Sequence, residues 1–146
     1  MSQPPKNTQP AVARSLDLWH RMIATSDLGE LHTIVHPDAL FRSPMSASAY
    51  ASAPALTLAL STVIKVFENF AYHRQLVSDD GLNVVLEFSA NIGDKKLKGI
   101  DLIRFNESGQ IEEFEVMVRP MSGLQALGVE MGKRVADQLP AFKVKA

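Results

Sequence analysis

At ~100° per residue, Val12, Leu16, Trp19 and Ile23 fall within one arc while Asp17 and Arg21 lie opposite, which predicts an amphipathic helix from about Ala11 to Ala24. Ser26 and Asp27 offer caps for a second, short helix, with Glu30 three residues after Asp27 and Leu28, Leu31 and Val35 facing inward until His36-Pro37 ends it. Ala39 to Arg42 reads as a short strand. Ser43-Pro44 and the stretch from Ser46 to Ser52 read as a small-residue loop whose large side chain is Tyr50. Ser52 and Pro54 open a third helix, with Leu56, Leu60, Val63, Ile64 and Phe67 inside and Lys65 and Glu68 outside, ending near Asn69.

The pattern then changes. Phe70 to Ser78, Leu82 to Ile92, Leu97 to Phe105 and Ile111 to Arg119 read as strands, joined by Asp79-Asp80-Gly81, Gly93-Asp94-Lys95 and Asn106-Glu107-Ser108-Gly109. These polar and glycine residues suit hairpin turns, so the strands form an antiparallel meander. A last helix follows Arg119-Pro120, capped by Ser122, with Leu124, Leu127, Met131 and Val135 on one side before Pro140; Gly128 and Gly132 weaken it. Helices ahead of a run of strands argue for a segregated α+β fold rather than βαβ units.

Composition narrows the class. A chain of 146 residues is the size of one domain, and at ~150 residues roughly 68–70% of the unfolded surface is buried, enough for a core. Residues 1–10 are polar and proline-rich and read as a disordered lead-in, 11–139 as the domain and 140–146 as a tail. No signal-peptide pattern or spanning stretch is present, so the cytoplasm is the expected compartment and a membrane is not an expected partner. The net charge of -1, with basic residues dispersed, gives no footprint for nucleic acid. With no cysteine, any chemistry rests on oxygen and nitrogen groups. No phosphate-binding or dinucleotide-binding motif appears, and no cofactor is expected.

The stretch Gly99-Ile100-Asp101-Leu102-Ile103-Arg104-Phe105-Asn106-Glu107-Ser108-Gly109-Gln110-Ile111 resembles the strand-turn-strand of ketosteroid isomerases and their relatives. A second anchor is Ser26-Asp27-Leu28-Gly29-Glu30-Leu31, ahead of a short strand ending in Ser43-Pro44. Both lie in the order typical of the nuclear transport factor 2-like, or SnoaL-like, superfamily, and the resemblance covers about Ala11 to Pro120. It implies a cone: a curved, antiparallel or mixed sheet closed by helices around a pocket, with a C-terminal helix added. It also implies a homodimer through the convex face, where Glu87, Glu113, Glu115 and Met117 would point. The superfamily includes isomerases, cyclases, epoxide hydrolases and non-catalytic modules, so fold does not settle function.

By this resemblance the isomerases' protonated oxyanion-hole aspartate falls on Asp101. Alternation puts Asp101, Ile103 and Phe105 on one face, and the resemblance makes that face concave. A carboxyl there would be kept neutral by desolvation and could donate a hydrogen bond to a carbonyl or enolate; the other reading is a plain hydrogen bond in the sheet or an ion pair with Arg119 or Arg42. The isomerases' tyrosine falls on Trp19 and their general base on Ser43, and a lone serine cannot take a proton from carbon. The aspartate of cyclases and epoxide hydrolases falls near Val116. The expected ligand wall is Trp19, Phe41, Ser43, Tyr50, Leu60, Val84, Leu86, Phe88, Ile103, Phe114, Val116 and Val118, suited to a small hydrophobic carbonyl or aromatic molecule; the alternative is that these side chains simply fill the cone.

His20, beside Trp19, is a candidate for the missing base, with a surface or capping role as the alternative. His73 lies on a strand of open register. His32 and His36 stand four apart but lack a third ligand, so no metal site is expected. Two functions stay open: ligand binding, with or without isomerase- or cyclase-type acid–base chemistry, and a non-catalytic binding or dimerisation module. So does the last helix, which could close the cone or pack on a partner.

Overall fold

A computed structural model describes residues 3–140. Helix α1 (Pro10–Thr25) opens with proline, whose missing N–H costs nothing in a first turn, and buries Val12, Ser15, Leu16, Trp19 and Met22. It ends at Ser26, which turns left-handed (φ 53°) and donates its N–H back into the last turn.

The second α-helix expected after Ser26 is absent. Asp27 Oδ1 accepts the N–H of Gly29 at 2.9 Å, a local turn that competes with capping. Only one 3₁₀ turn, Leu31–Ile34, follows, with Leu28 and Leu31 buried. Strand β1 is correspondingly longer than expected, Val35–Arg42, and runs through Pro37. Its pairing shifts register between Val35 and Leu40, an irregularity that tolerates a residue without an N–H.

The serine-rich loop contains a two-residue strand, β2 (Tyr50–Ala51). Ser52 Oγ then accepts the N–H of Ala55 at 3.1 Å and starts α2 (Ala53–Val66). This helix stops short of Asn69. Phe67 is already extended, and Asn69 takes a positive φ of 53°, a turn that asparagine tolerates, inside β3 (Glu68–Val77).

Strands β4 (Asn83–Ile92), β5 (Lys95–Phe105) and β6 (Ile111–Arg119) complete the expected meander. The six strands form one curved, unclosed sheet in the order β2-β1-β6-β5-β4-β3, with β1 parallel to β6 and every other pair antiparallel. Helix α3 (Met121–Val135) follows Pro120, and Ser122 lies inside it rather than capping it. Gly128 is buried against Met45, whose flexible end lies 2.6 Å from where a Cβ would stand.

The core lies on the concave side, where Val84, Leu86, Phe88, Ile103 and Phe114 are buried. The convex side carries ion pairs, among them Arg74 and Lys98 with Glu87, and Arg42 and Arg104 with Glu113. Within the stretch read as a disordered lead-in, Asn7 Nδ2 donates to Ser78 O and Gln9 N–H to Gly81 O, tying it to the β3–β4 turn. Residues 141–146, most of the expected tail, lie outside the described residues. Among the described residues, no helix is long and apolar enough to cross a membrane.

Candidate functional site

Asp101 sits mid-strand in β5, opposite Leu86 on one side and Val116 on the other. The β4 pairing carries β3 beyond it, so Tyr72, paired with Phe88, leans over β4 toward β5. Tyr72 Oη donates to Asp101 Oδ2 at 2.5 Å, and Trp19 Nε1 donates to Tyr72 Oη at 2.9 Å. Neither Arg42 nor Arg119 pairs with the carboxyl; Arg42 bonds Glu113 instead. Asp101 is buried, and this desolvation lifts its pKa to about 7, against the opposing effect of the Tyr72 bond. Burial likewise pushes the Tyr72 phenol well above its ordinary value, and the adjacent carboxylate adds to the shift.

Asp101 lines an apolar cavity with Phe41, Pro44 and Val116 of the sheet side, Leu60, Ile64 and Phe67 at α2, and Leu127 and Met131 of α3. Helix α3 therefore closes the cone. The cavity's free volume is about 40 Å³, enough for water, which needs only ~10–15 Å³, and far below the ~300–1,000 Å³ of pockets for drug-sized ligands. Any larger guest must move side chains. Ile64, Phe67 and Phe70 form its wall toward an outer cleft of about 360 Å³ that also touches Ile23, Ala24, Ser26 and Asn69. Phe70 meets Tyr72 edge-on at 4.8 Å, so this wall also supports the tyrosine.

Of the residues expected to contact a ligand, Phe41, Leu60, Asp101 and Val116 line the cavity. Tyr50 stacks on Phe41 at 6.4 Å. Trp19, Val84, Leu86, Phe88, Ile103 and Phe114 are packed core around the site instead, with Trp19 edge-on to Phe114. Ser43 is buried with its Oγ accepting the N–H of Met45 at 3.0 Å, and Val118 borders a shallow depression with Lys98, Ile100 and Met117.

His20 lies behind Tyr72, edge-on to its ring at 5.4 Å, and faces a separate groove; its Nε2 is 3.1 Å from Gln75 Oε1 and burial lowers its pKa. His73 meets Ser89 Oγ at 2.7 Å from an exposed position, inside the stretch of β3 where the pairing with β4 shifts register. His36 Nδ1 accepts the N–H of Asp38, and among the described residues no group of three or more His, Asp or Glu is placed to hold a metal ion.

Sequence reasoning assigns no role to Tyr72. A signal existed: Phe70 and Tyr72 alternate toward the core, and a buried tyrosine hydroxyl needs a partner.

The chain is 58% identical to a steroid delta-isomerase from Pseudomonas aeruginosa of known structure, over 91% of this chain and 97% of that one, with a TM-score of 0.87. The chain belongs to the nuclear transport factor 2-like superfamily. A conserved bacterial protein with a cystatin-like fold from Silicibacter pomeroyi DSS-3 is 29% identical, covers 94% of each chain and superposes with a TM-score of 0.78. The fold of a nuclear transport factor 2-like protein of unknown function from Mesorhizobium loti matches 82% of this chain and 100% of that one at 14% identity and a TM-score of 0.69. No family model and no curated protein matches the chain. Asp101 supplies a carboxyl on β5, whereas Ser43 and Val116, onto which the resemblance mapped a second carboxyl, carry none.

Proposed function

We propose that this protein binds a small hydrophobic carbonyl compound in the cone and polarises its carbonyl oxygen through a hydrogen bond from protonated Asp101. One observation carries the reading: among the described residues lining the cavity, Asp101 is the one titratable group, and everything around it is apolar. A carbonyl entering such a space loses its water partners, and a neutral carboxyl restores a donor where charge would be costly. Binding is favoured over two-carboxylate catalysis because Ser43 Oγ is occupied by the Met45 N–H and no second base faces the cavity among the described residues.

The test is calorimetric titration of the purified protein with cyclic enones and indanones, each beside its methylene analogue, at pH 5.5 and 8.5. The ketone is expected to bind better than the hydrocarbon, and better at the lower pH. In Asp101→Asn, whose amide still donates, the pH dependence disappears; in Asp101→Leu the preference for the ketone is lost. Equal affinity for ketone and hydrocarbon sinks the reading.

A second reading is favoured by the 58% identity to the Pseudomonas aeruginosa steroid delta-isomerase: migration of a double bond in a β,γ-unsaturated ketone. Asp101, titrating at about 7, would then take the proton from the carbon between carbonyl and double bond and return it at the far end of the dienolate. Growth of conjugated-enone absorbance that vanishes in Asp101→Asn separates this reading from binding alone. For the convex face, where Met117 is exposed, we propose a second copy of the chain as the partner.

A further inference from the structure

The relay behind Asp101 has a direction that the donors and acceptors enforce. An indole N–H only donates, so the 2.9 Å contact between Trp19 Nε1 and Tyr72 Oη must be a bond from Trp19 to the phenol oxygen. The phenol has one proton of its own. The rings of Phe70 and His20 meet it edge-on at 4.8 and 5.4 Å and offer it no oxygen, and Asp101 Oδ2 at 2.5 Å is its acceptor. Tyr72 therefore donates to Oδ2. A protonated Asp101 cannot carry its own proton there as well, so the proton sits on Oδ1. That oxygen has no hydrogen-bond partner among the described residues, yet it is not among the side-chain atoms sealed from solvent without a partner; Gln75 Nε2 alone is.

We propose that Trp19 is a positioning residue for the acid: by donating to Tyr72 it polarises and orients the phenol, which holds Asp101 Oδ2 and leaves the carboxyl proton on Oδ1, toward the cavity. Consecutive bonds of this kind strengthen one another, so the influence of the indole passes through the phenol to the carboxyl. The role deepens the proposed carbonyl-binding function but is readable without any ligand. Trp19 is not among the residues that line the cavity, and it acts through Tyr72. The titratable groups near this relay are few: Tyr72 itself from β3, His20 from α1 beyond the tyrosine ring, and none from α2 or α3 at the cavity wall.

Trp19 is the one tryptophan of the chain, so residue-wide replacement is site-specific. Biosynthetic incorporation of β-(3-benzothienyl)alanine keeps the ring's shape and exchanges the N–H for sulfur; fluorotryptophan keeps the N–H and makes it a stronger donor. The readout is the Asp101 carboxyl titration by carbon NMR in ligand-free protein, with the indole ¹H–¹⁵N resonance followed over the same pH range. Benzothienylalanine is expected to move the Asp101 midpoint up, by less than Tyr72→Phe does, and fluorotryptophan to move it down. In the unmodified protein the indole resonance should move with the Asp101 midpoint. An unchanged midpoint with both analogues, or an indole resonance indifferent to Asp101 ionisation, overturns the proposal. Because the measurement needs no ligand, a protein that binds no ketone but shows these shifts would discard the functional reading and keep this one; the reverse result would do the opposite.

Discussion

Tyr72 on β3 reaches across β4 to place its hydroxyl 2.5 Å from Asp101 Oδ2 on β5, joining two strands that are not neighbours in the sheet. The bond sets the chemistry of the cavity. It stabilises the ionised carboxyl, burial opposes it more strongly, and the pKa of about 7 is the balance.

That balance makes stability depend on pH. A carboxyl whose folded pKa lies above its ordinary value binds its proton more tightly when folded, so its contribution is full below ~4 and is lost as pH rises through about 7. The shift from 3.8 to about 7 corresponds to roughly 4 kcal/mol. Asp101→Asn lacks this dependence. Urea midpoints from pH 4 to pH 8 should show wild type losing ground to the variant by an amount of that order; parallel profiles would remove Asp101 as the buried acid.

Tyr72→Phe deletes the donor and leaves both Oδ2 and the Trp19 N–H without a partner. The Asp101 midpoint should rise further, because burial then acts unopposed, and stability should fall by ~1–3 kcal/mol, as for other buried groups left unsatisfied. Carbon NMR and denaturant unfolding measure the two effects on one sample.

Phe67 and Phe70 stand between the inner cavity and the outer cleft. Phe67→Ala is expected to join them and speed the association of a two-ring aromatic ketone by at least tenfold in stopped-flow fluorescence. As Phe67 is half-buried, its stability cost should fall below the ~3–5 kcal/mol of a fully buried phenylalanine. An unchanged association rate would place the entry elsewhere.

Gly99 is a position where the sheet leaves no room. A Cβ there would lie 2.2 Å from Met117 O and 2.6 Å from Phe88 Cζ. Because backbone cannot yield as a flexible side chain does, Gly99→Ala should cost ~1–3 kcal/mol in unfolding experiments. It should also disturb Phe88, which packs on Phe67 and Phe70.

If a second copy covers the convex face, Met117→Lys should convert a dimer to a monomer in sedimentation velocity at micromolar concentration. A wild-type protein already monomeric there would dispose of the dimer.

Local pattern made most elements legible. The apolar arc of α1, the proline and serine that open α2, and the turn residues between β3 and β6 are contiguous signals, and each matches its element closely. The short helix after Ser26 failed because Asp27 had two local uses, a cap or a turn onto Gly29, and the sequence weighs them equally. The end of α2 failed similarly: Phe67 keeps helical spacing but packs against Phe70 and Phe88 from an extended backbone.

Strand alternation and turn chemistry act within a few residues, and they sufficed to place α1, α2, α3, the β3–β6 meander and one acid on β5; β2 and the turn after Ser26 escaped them, and the concave face was chosen by the resemblance. What that acid meets is set by the tertiary structure. Trp19, Tyr72 and Asp101 lie 53 and 29 residues apart along the chain, and no local signal sets the distance between their side chains. The packing of α1 against Tyr72 and the placing of β3 one strand beyond β4 set it, while α3 closes the cavity over the acid. Their combined burial makes an ordinary aspartate an acid titrating at about 7.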